Sequence, residues 1–243
     1  MSKELAELLG IKFNDISLLD RALTHRSYLN ENRDVDKNNE RLEFLGDAVL
    51  ELIISQYLYR NYPDRPEGDL TSFRSALVRT ESLAEASREL NYGKYLRMAK
   101  GEEESGGRDK DYILANTFEA VLGAIYIDQG YDKCKELVDK ILISKIDHIV
   151  ENRLDIDSKT KIQEVAQSKF RLTPTYEVKE ENGPDHDKEF VVAVKLGKKI
   201  IGTGKGASKQ KAEEAAAQKG LKYIEKAWIK RYQMLKSHRY AKD

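Results

Sequence analysis

The chain has 243 residues, 35% of them charged, and its 42 basic and 42 acidic side chains cancel to a formal net charge of zero. No run approaches the roughly 18–20 apolar residues of a membrane span, the start MSKELAELLG lacks the long apolar core of a secretory signal, and the single cysteine, Cys134, has no intramolecular disulfide partner. A disulfide-stapled secreted protein and a helical membrane protein are therefore excluded, and the expected setting is the cytoplasm with no membrane partner.

The zero net charge conceals an asymmetry. Residues 1–154 hold 22 Lys and Arg against 29 Asp and Glu, net −7, and residues 155–243 hold 20 against 13, net +7. An acidic half suited to cations is thus joined to a basic half suited to a polyanion.

The first 150 residues carry helical periodicity throughout. Residues 2–9 form a short amphipathic piece, and Asp15 can cap a helix through Ala22. His25, beside an apolar face, reads as structural. Residues 31–38 are polar and loop-like and deliver Asn39 as a candidate cap for a long helix that runs to about Tyr62, before Pro63. Within it, Glu40, Glu43 and Asp47 fall on one face at 100° per residue, and Glu51 extends that face. Leu42, Leu45, Val49 and Leu52 lie opposite, so a solvated acidic stripe is the ordinary reading. No Lys or Arg, however, stands three or four residues from Glu43 or Asp47. Like charges so placed repel by roughly 0.2–0.5 kcal/mol per pair, which calls for an external cation.

After a turn over residues 63–68, residues 69–78 and 81–90 read as helices with Asp69 and Thr80 as caps. Residues 101–111, rich in Glu and Gly, read as a surface loop, either a substrate contact or a connector. Residues 113–127 are almost wholly apolar, with Asn116, Thr117 and Glu119 the polar exceptions. A buried Glu is costly unless it is paired or binds a metal. Glu43, Asp47, Asn116 and Glu119, presented by two facing helices, would make an all-oxygen site suited to Mg²⁺ or Mn²⁺. Residues 131–149 complete the half as an amphipathic helix with Cys134 packed as a small hydrophobe.

Beyond a charged linker over residues 151–160 the periodicity changes. Residues 162–170 are helical, residues 175–180, 190–196 and 199–204 read as strands, and residues 209–227 form an Ala-rich helix, giving the order α-β-β-β-α.

The stretch NERLEFLGDAVL at Asn39–Leu50 resembles the signature of the ribonuclease III family, and ILANTFEAVLGAIYID resembles that family's second acidic helix. LTHRSY, PEGDLTSFRSALV and GEEESGGR follow in the family's order. KTKIQEVAQ, GPDHDKEF and GTGKGASKQKAEEAAAQKGL resemble a double-stranded RNA-binding domain. The resemblance implies two domains: an all-α endonuclease domain over 1–152 and, after a linker over 153–159, an α+β (α-β-β-β-α) RNA-binding domain over 160–227, followed by a basic tail over 228–243. It further implies a homodimeric endoribonuclease that hydrolyses double-stranded RNA with Mg²⁺, for which Mn²⁺ can substitute. The ends would be 5′-phosphate and 3′-hydroxyl with a short 3′ overhang, and ribosomal RNA precursors would be among the substrates. Carried over by motif, Glu43, Asp47, Asn116 and Glu119 are the metal ligands, with Asn116 standing where the family usually has Asp. Glu40 and Glu67 are accessory acids, although an acid at the place of Glu67 also supports a helix dipole. Phe44 would insert into a pocket of the partner subunit; an ordinary core aromatic is the alternative.

In the second domain, Thr160 falls within the first motif, and Gln163, Glu164 and Gln167 share a helix face that can exchange hydrogen bonds with 2′-hydroxyls in a minor groove. His186, in the loop after Pro184, would reach a second minor groove. Ser208 would cap the last helix, whose N-terminal amides join Lys205, Lys209 and Lys211 at phosphates. The tail reads as a frayed basic terminus or as extra attraction for RNA. Two rivals stay open: a non-catalytic double-stranded RNA binder, should Asn116 inactivate the site, and a scaffold whose helical domain only dimerises.

Overall fold

A computed structural model describes residues 2–153, 155–184 and 188–239, with side chains described at all of these except 152 and 227–239. It divides into two compact units, Met1–Asp155 and Ile156–Asp243.

The first unit is helical: α1 (Ser2–Leu9), α2 (Ile16–Ala22), α3 (Glu40–Asn61), α4 (Glu67–Val78), α5 (Thr80–Glu89), α6 (Tyr92–Tyr95), α7 (Lys100–Glu104), α8 (Asp111–Gln129), α9 (Tyr131–Ile141) and α10 (Ile146–Asn152). The almost uninterrupted apolar run of α8 makes it the central helix, packed by α2, α3, α5 and α9. Phe118, Val121, Leu122 and Ile125 of α8 join Leu42, Leu50, Ile53 and Ile54 of α3 in one core, each at most 2% exposed.

Helices α3 and α8 meet where each has a glycine. A methyl group on Gly46 would stand 1.8 Å from the Glu119 carbonyl oxygen, and one on Gly123 would stand 2.2 Å from that of Leu42. The two backbones are therefore in direct contact, closer than side-chain packing between helices allows. This contact sets the separation of the acids that the two helices carry.

Capping departs from the sequence pattern in places. Asp15 does cap α2, accepting the Ser17 N–H at 3.0 Å. The side chain of Asn39 makes no cap hydrogen bond; Asn39 is buried, its N–H is donated to the Thr24 carbonyl, and the Asn38 side chain accepts the Glu40 N–H at 3.2 Å. Asp69 and Thr80 lie inside α4 and α5, which open after Pro66 and Arg79. The expected loop over 101–111 is α7 followed by a 3-10 turn, because its charges pair: Glu103 with Arg108 and Glu102 with Lys110, both at 2.7 Å. The helix expected over 131–149 breaks after Ile141. Among the described residues no helix is long and apolar enough to cross a membrane.

The second unit is α11 (Ser158–Phe170), an antiparallel sheet β1 (Pro174–Asn182), β2 (Glu189–Leu196) and β3 (Lys199–Gly206) in the order β1-β2-β3, and α12 (Lys209–Arg239). Its small core joins Ile162 of α11, Val194 and Ile201 of the sheet and Ala216, Ala217 and Ile224 of α12. The alanines explain the composition of α12, since a helix packed closely on strands has no room for larger side chains. Helix α11 opens at Ser158 behind Asp157, which accepts the Thr160 N–H at 2.9 Å.

The glycine contact yields a direct expectation. Gly46→Ala or Gly123→Ala should destabilise the first unit by about 3 kcal/mol or more, the upper range for overpacking, read as a fall in the urea midpoint. A variant as stable as the parent would contradict the contact.

Candidate functional site

The polar residues of α8 separate by direction. Thr117 is fully buried and donates its hydroxyl to the Ile113 carbonyl at 2.6 Å, so it serves the helix. Asn116 and Glu119 are half-buried, as is Glu43 of α3, while Asp47 is exposed. These residues come together. Burial, then the charges of Asp47 and Glu43, push the Glu119 carboxyl from 4.5 up to about 8. Burial and the charge of Glu40 raise Glu43 as well, against the pull of a hydrogen bond from the Asn116 side chain. Among the described residues no Lys or Arg forms an ion pair with Glu43, Asp47 or Glu119, although most acids nearby have such a partner: Glu40 pairs with Arg26 at 3.4 Å and Glu51 with Arg74 at 3.7 Å.

Three carboxylates without an ion pair among the described residues, and a neutral amide oxygen, beside the close helix contact, suit a hard divalent cation. Among the described residues no three His, Cys, Asp or Glu groups are already gathered into a ligand set. With the backbones held, side-chain rotation is the movement left for drawing these acids onto an ion.

Glu67 opens α4, exposed, and accepts the Thr71 hydroxyl at 2.9 Å. Glu51, one turn past Asp47 on the unbroken α3, pairs with Arg74. Leu52, expected on the buried side of α3, is 58% exposed, and Phe44 and Tyr59 of the same helix are 81% and 79% exposed. Phe44 is therefore not a core aromatic of this chain. His25 is structural: its Nδ1 accepts the Ser27 N–H, and burial lowers its pKa. Cys134 is buried, and its thiol is pushed up to about 12.

In the second unit, Thr160, Gln163, Glu164 and Gln167 are exposed along α11. Ser208 caps α12 by accepting the Lys211 N–H at 3.2 Å. Lys205, Lys209 and Lys211 are exposed, with Lys205 on Glu189 at 2.8 Å and Lys209 over the Phe190 ring at 5.6 Å. Pro184 is exposed, and His186 lies outside the described residues. The sequence reading did not single out Gly46 and Gly123, although a glycine inside each apolar helix, at a cost of about 1 kcal/mol relative to Ala, is the signal that would have found them.

A helical unit with unpaired converging carboxylates, joined to an α-β-β-β-α unit whose last helix offers a capped N-terminus and lysines, is the architecture of a nuclease acting on duplex RNA. The family model described as Ribonuclease-III-like matches residues 15–146, and that of the double-stranded RNA binding motif matches residues 158–224. The chain is 48% identical to Ribonuclease 3 of Natranaerobius thermophilus over 88% of this chain and 92% of that protein. It is 46% identical to Ribonuclease 3 of Enterococcus faecalis over 92% and 97%. The solved nuclease domain of ribonuclease III from Campylobacter jejuni superposes with a TM-score of 0.55 at 38% identity, covering 59% of this chain and 97% of that one. The chain belongs to the ribonuclease III family, whose members are divalent-metal-dependent endoribonucleases.

The raised Glu119 carboxyl has a thermodynamic consequence. Between 4.5 and about 8 the native protein holds a proton that the unfolded chain has lost, so stability falls as pH rises through that window. Glu119→Gln, neutral throughout, should unfold at a higher urea concentration than the parent at pH 8.5 without metal, with the difference shrinking towards pH 5. A pH-independent difference would place the Glu119 carboxyl near its ordinary value.

Proposed function

We propose that this endoribonuclease cuts double-stranded RNA at a Mg²⁺ site formed by Glu43, Asp47, Glu119 and the Asn116 amide oxygen, with Mn²⁺ able to substitute. The observation that carries this reading is that Glu43 and Asp47 lie within electrostatic reach of Glu119, with no ion pair to any of the three among the described residues, beside the Gly46–Gly123 contact. A divalent cation bound there supplies an activated water, neutralises charge on the phosphate and supports the departing 3′-oxygen. Glu119, protonated up to about 8 without an ion, would have to be ionised to serve as a ligand. Asn116 contributes an oxygen without charge, leaving three negative charges at the site. Glu40, tethered by Arg26, and Glu67, tethered by Thr71, act as accessory acids at the rim. The products are 5′-phosphate and 3′-hydroxyl ends with a short 3′ overhang, and the cellular work is RNA processing in the cytoplasm, ribosomal RNA precursors included.

The RNA-binding domain spans 160–227 after a linker over 153–159, with a basic tail over 228–243. Gln163, Glu164 and Gln167, with Thr160 beside them, meet one minor groove, and Pro184 and His186 reach a second. Lys205, Lys209 and Lys211 take phosphates at the Ser208-capped end of α12. Two chains assemble through α3, where Phe44, Leu52 and Tyr59 leave apolar surface exposed, and each chain cuts one strand.

Cleavage of a long RNA duplex in a Mg²⁺ titration, with EDTA and single-stranded controls, tests the site. Glu119→Ala should abolish cleavage and leave duplex affinity within about twofold, because phosphate contacts dominate affinity. Asn116→Asp should lower the Mg²⁺ concentration for half-maximal cleavage. A parent inactive at every Mg²⁺ and Mn²⁺ concentration, with an active Asp variant, would make this chain an RNA binder inactivated by Asn116.

Phe44→Ala should shift the light-scattering mass from dimer towards monomer at micromolar concentration. A variant that stays dimeric would remove Phe44 from the interface.

A further inference from the structure

Away from the acid cluster, the first unit carries a groove around the turn that follows α1. The turn is a Schellman closure: Gly10, at φ 68°, donates its N–H to the Glu7 carbonyl at 3.0 Å, and Ile11 donates to that of Ala6 at 2.9 Å. On one side lies a cavity of about 380 Å³ walled by Ala6, Ile11, Phe13 and Ile16. On the other lies one of about 220 Å³ walled by Leu9, Leu90, Leu137 and Ile141. The two share Gly10 and Ile11 and so form one groove, apolar over the first cavity and mixed over the second, where Lys133 and Glu136 join the lining; Leu8 on that lining is 51% exposed.

The rim is cationic. Six of the ten lysines among residues 1–155, Lys94, Lys100, Lys110, Lys133, Lys135 and Lys145, pair with an acid. Of the four without an ion pair among the described residues, three line this groove: Lys3, Lys12 and Lys140. Glu7 also lines the groove and Glu136 does so paired with Lys133, so four lysines against two glutamates leave the lining net positive, in a half of the chain whose residues 1–154 sum to −7. Such a surface complements a segment that combines apolar anchors with carboxylates.

We propose that this groove docks an acidic amphipathic helix of another protein, with its apolar stripe over Leu8, Leu9, Phe13 and Ile16 and its carboxylates at Lys3, Lys12 and Lys140. RNA fits less well, because a sugar-phosphate backbone has nothing apolar to fill the walls. The groove stands apart from Glu43, Asp47 and Glu119, so docking is independent of how those acids work.

The probe is a fluorescein-labelled peptide of about 18 residues, five helical turns, with Leu at i, i+3, i+4 and i+7 and Glu elsewhere, titrated with the full chain and followed by anisotropy. Saturable binding of one peptide per chain is expected, weakened about tenfold or more when Lys replaces Glu in the peptide. The triple variant Lys3→Glu, Lys12→Glu, Lys140→Glu should weaken it similarly, and so should Leu8→Glu, with duplex cleavage unchanged. These are exposed positions, and circular dichroism verifies that each variant is folded. Absence of binding, equal affinity for the triple variant, or displacement of the peptide by a short RNA duplex that binds the triple variant less tightly would overturn the proposal; the last outcome would make the groove an RNA contact.

Discussion

The backbone contact between α3 and α8 at Gly46 and Gly123 is the constraint on which the rest of the first unit depends. Any side chain at either position would collide with a carbonyl group of the opposite helix. The contact brings Glu43 and Asp47 against Glu119, and it also buries the faces carrying Leu42, Leu50, Phe118 and Val121. Site geometry and core packing are therefore the same feature. A separation larger by one methyl group would loosen both.

The cost of this arrangement is electrostatic. Most acids around it are neutralised locally, Glu40 by Arg26, Glu51 by Arg74, and Glu102 and Glu103 by Lys110 and Arg108. Among the described residues the three at the crossing have no ion pair, and burial, then the charges of Asp47 and Glu43, keeps the proton on Glu119 up to about 8. Strain of this kind is commonly concentrated at functional sites, where burial and like charge are arranged together.

The two units divide the physical tasks. The first is acidic and rigid around α8; the second is basic, with a small core whose alanines let α12 lie close on the sheet. Placing the α12 N-terminus at the surface exposes its amides, the Ser208 cap and three lysines in one place, a combination that favours phosphate irrespective of base sequence. The exposed polar face of α11 supplies groups that both donate and accept, as 2′-hydroxyls demand.

Much of this was legible in the sequence, because the signals were local. Periodicity marked the long helix before Pro63 and the change to strands after residue 160, and the almost wholly apolar run around Asn116, Thr117 and Glu119 marked an acid too costly to bury without a partner. Family motifs then joined stretches that periodicity alone leaves unconnected. The tertiary structure decided what depends on neighbours far along the chain. It turned residues 101–111 from a loop into a short helix and a turn held by ion pairs, took the capping role from Asn39 by burying it under Thr24, and exposed Leu52 and Phe44. It also gave the two glycines their meaning. A glycine in a helix is locally only a weak point; it becomes the pivot of a site when a second backbone arrives to fill the space, and that arrival is a long-range contact no local pattern encodes.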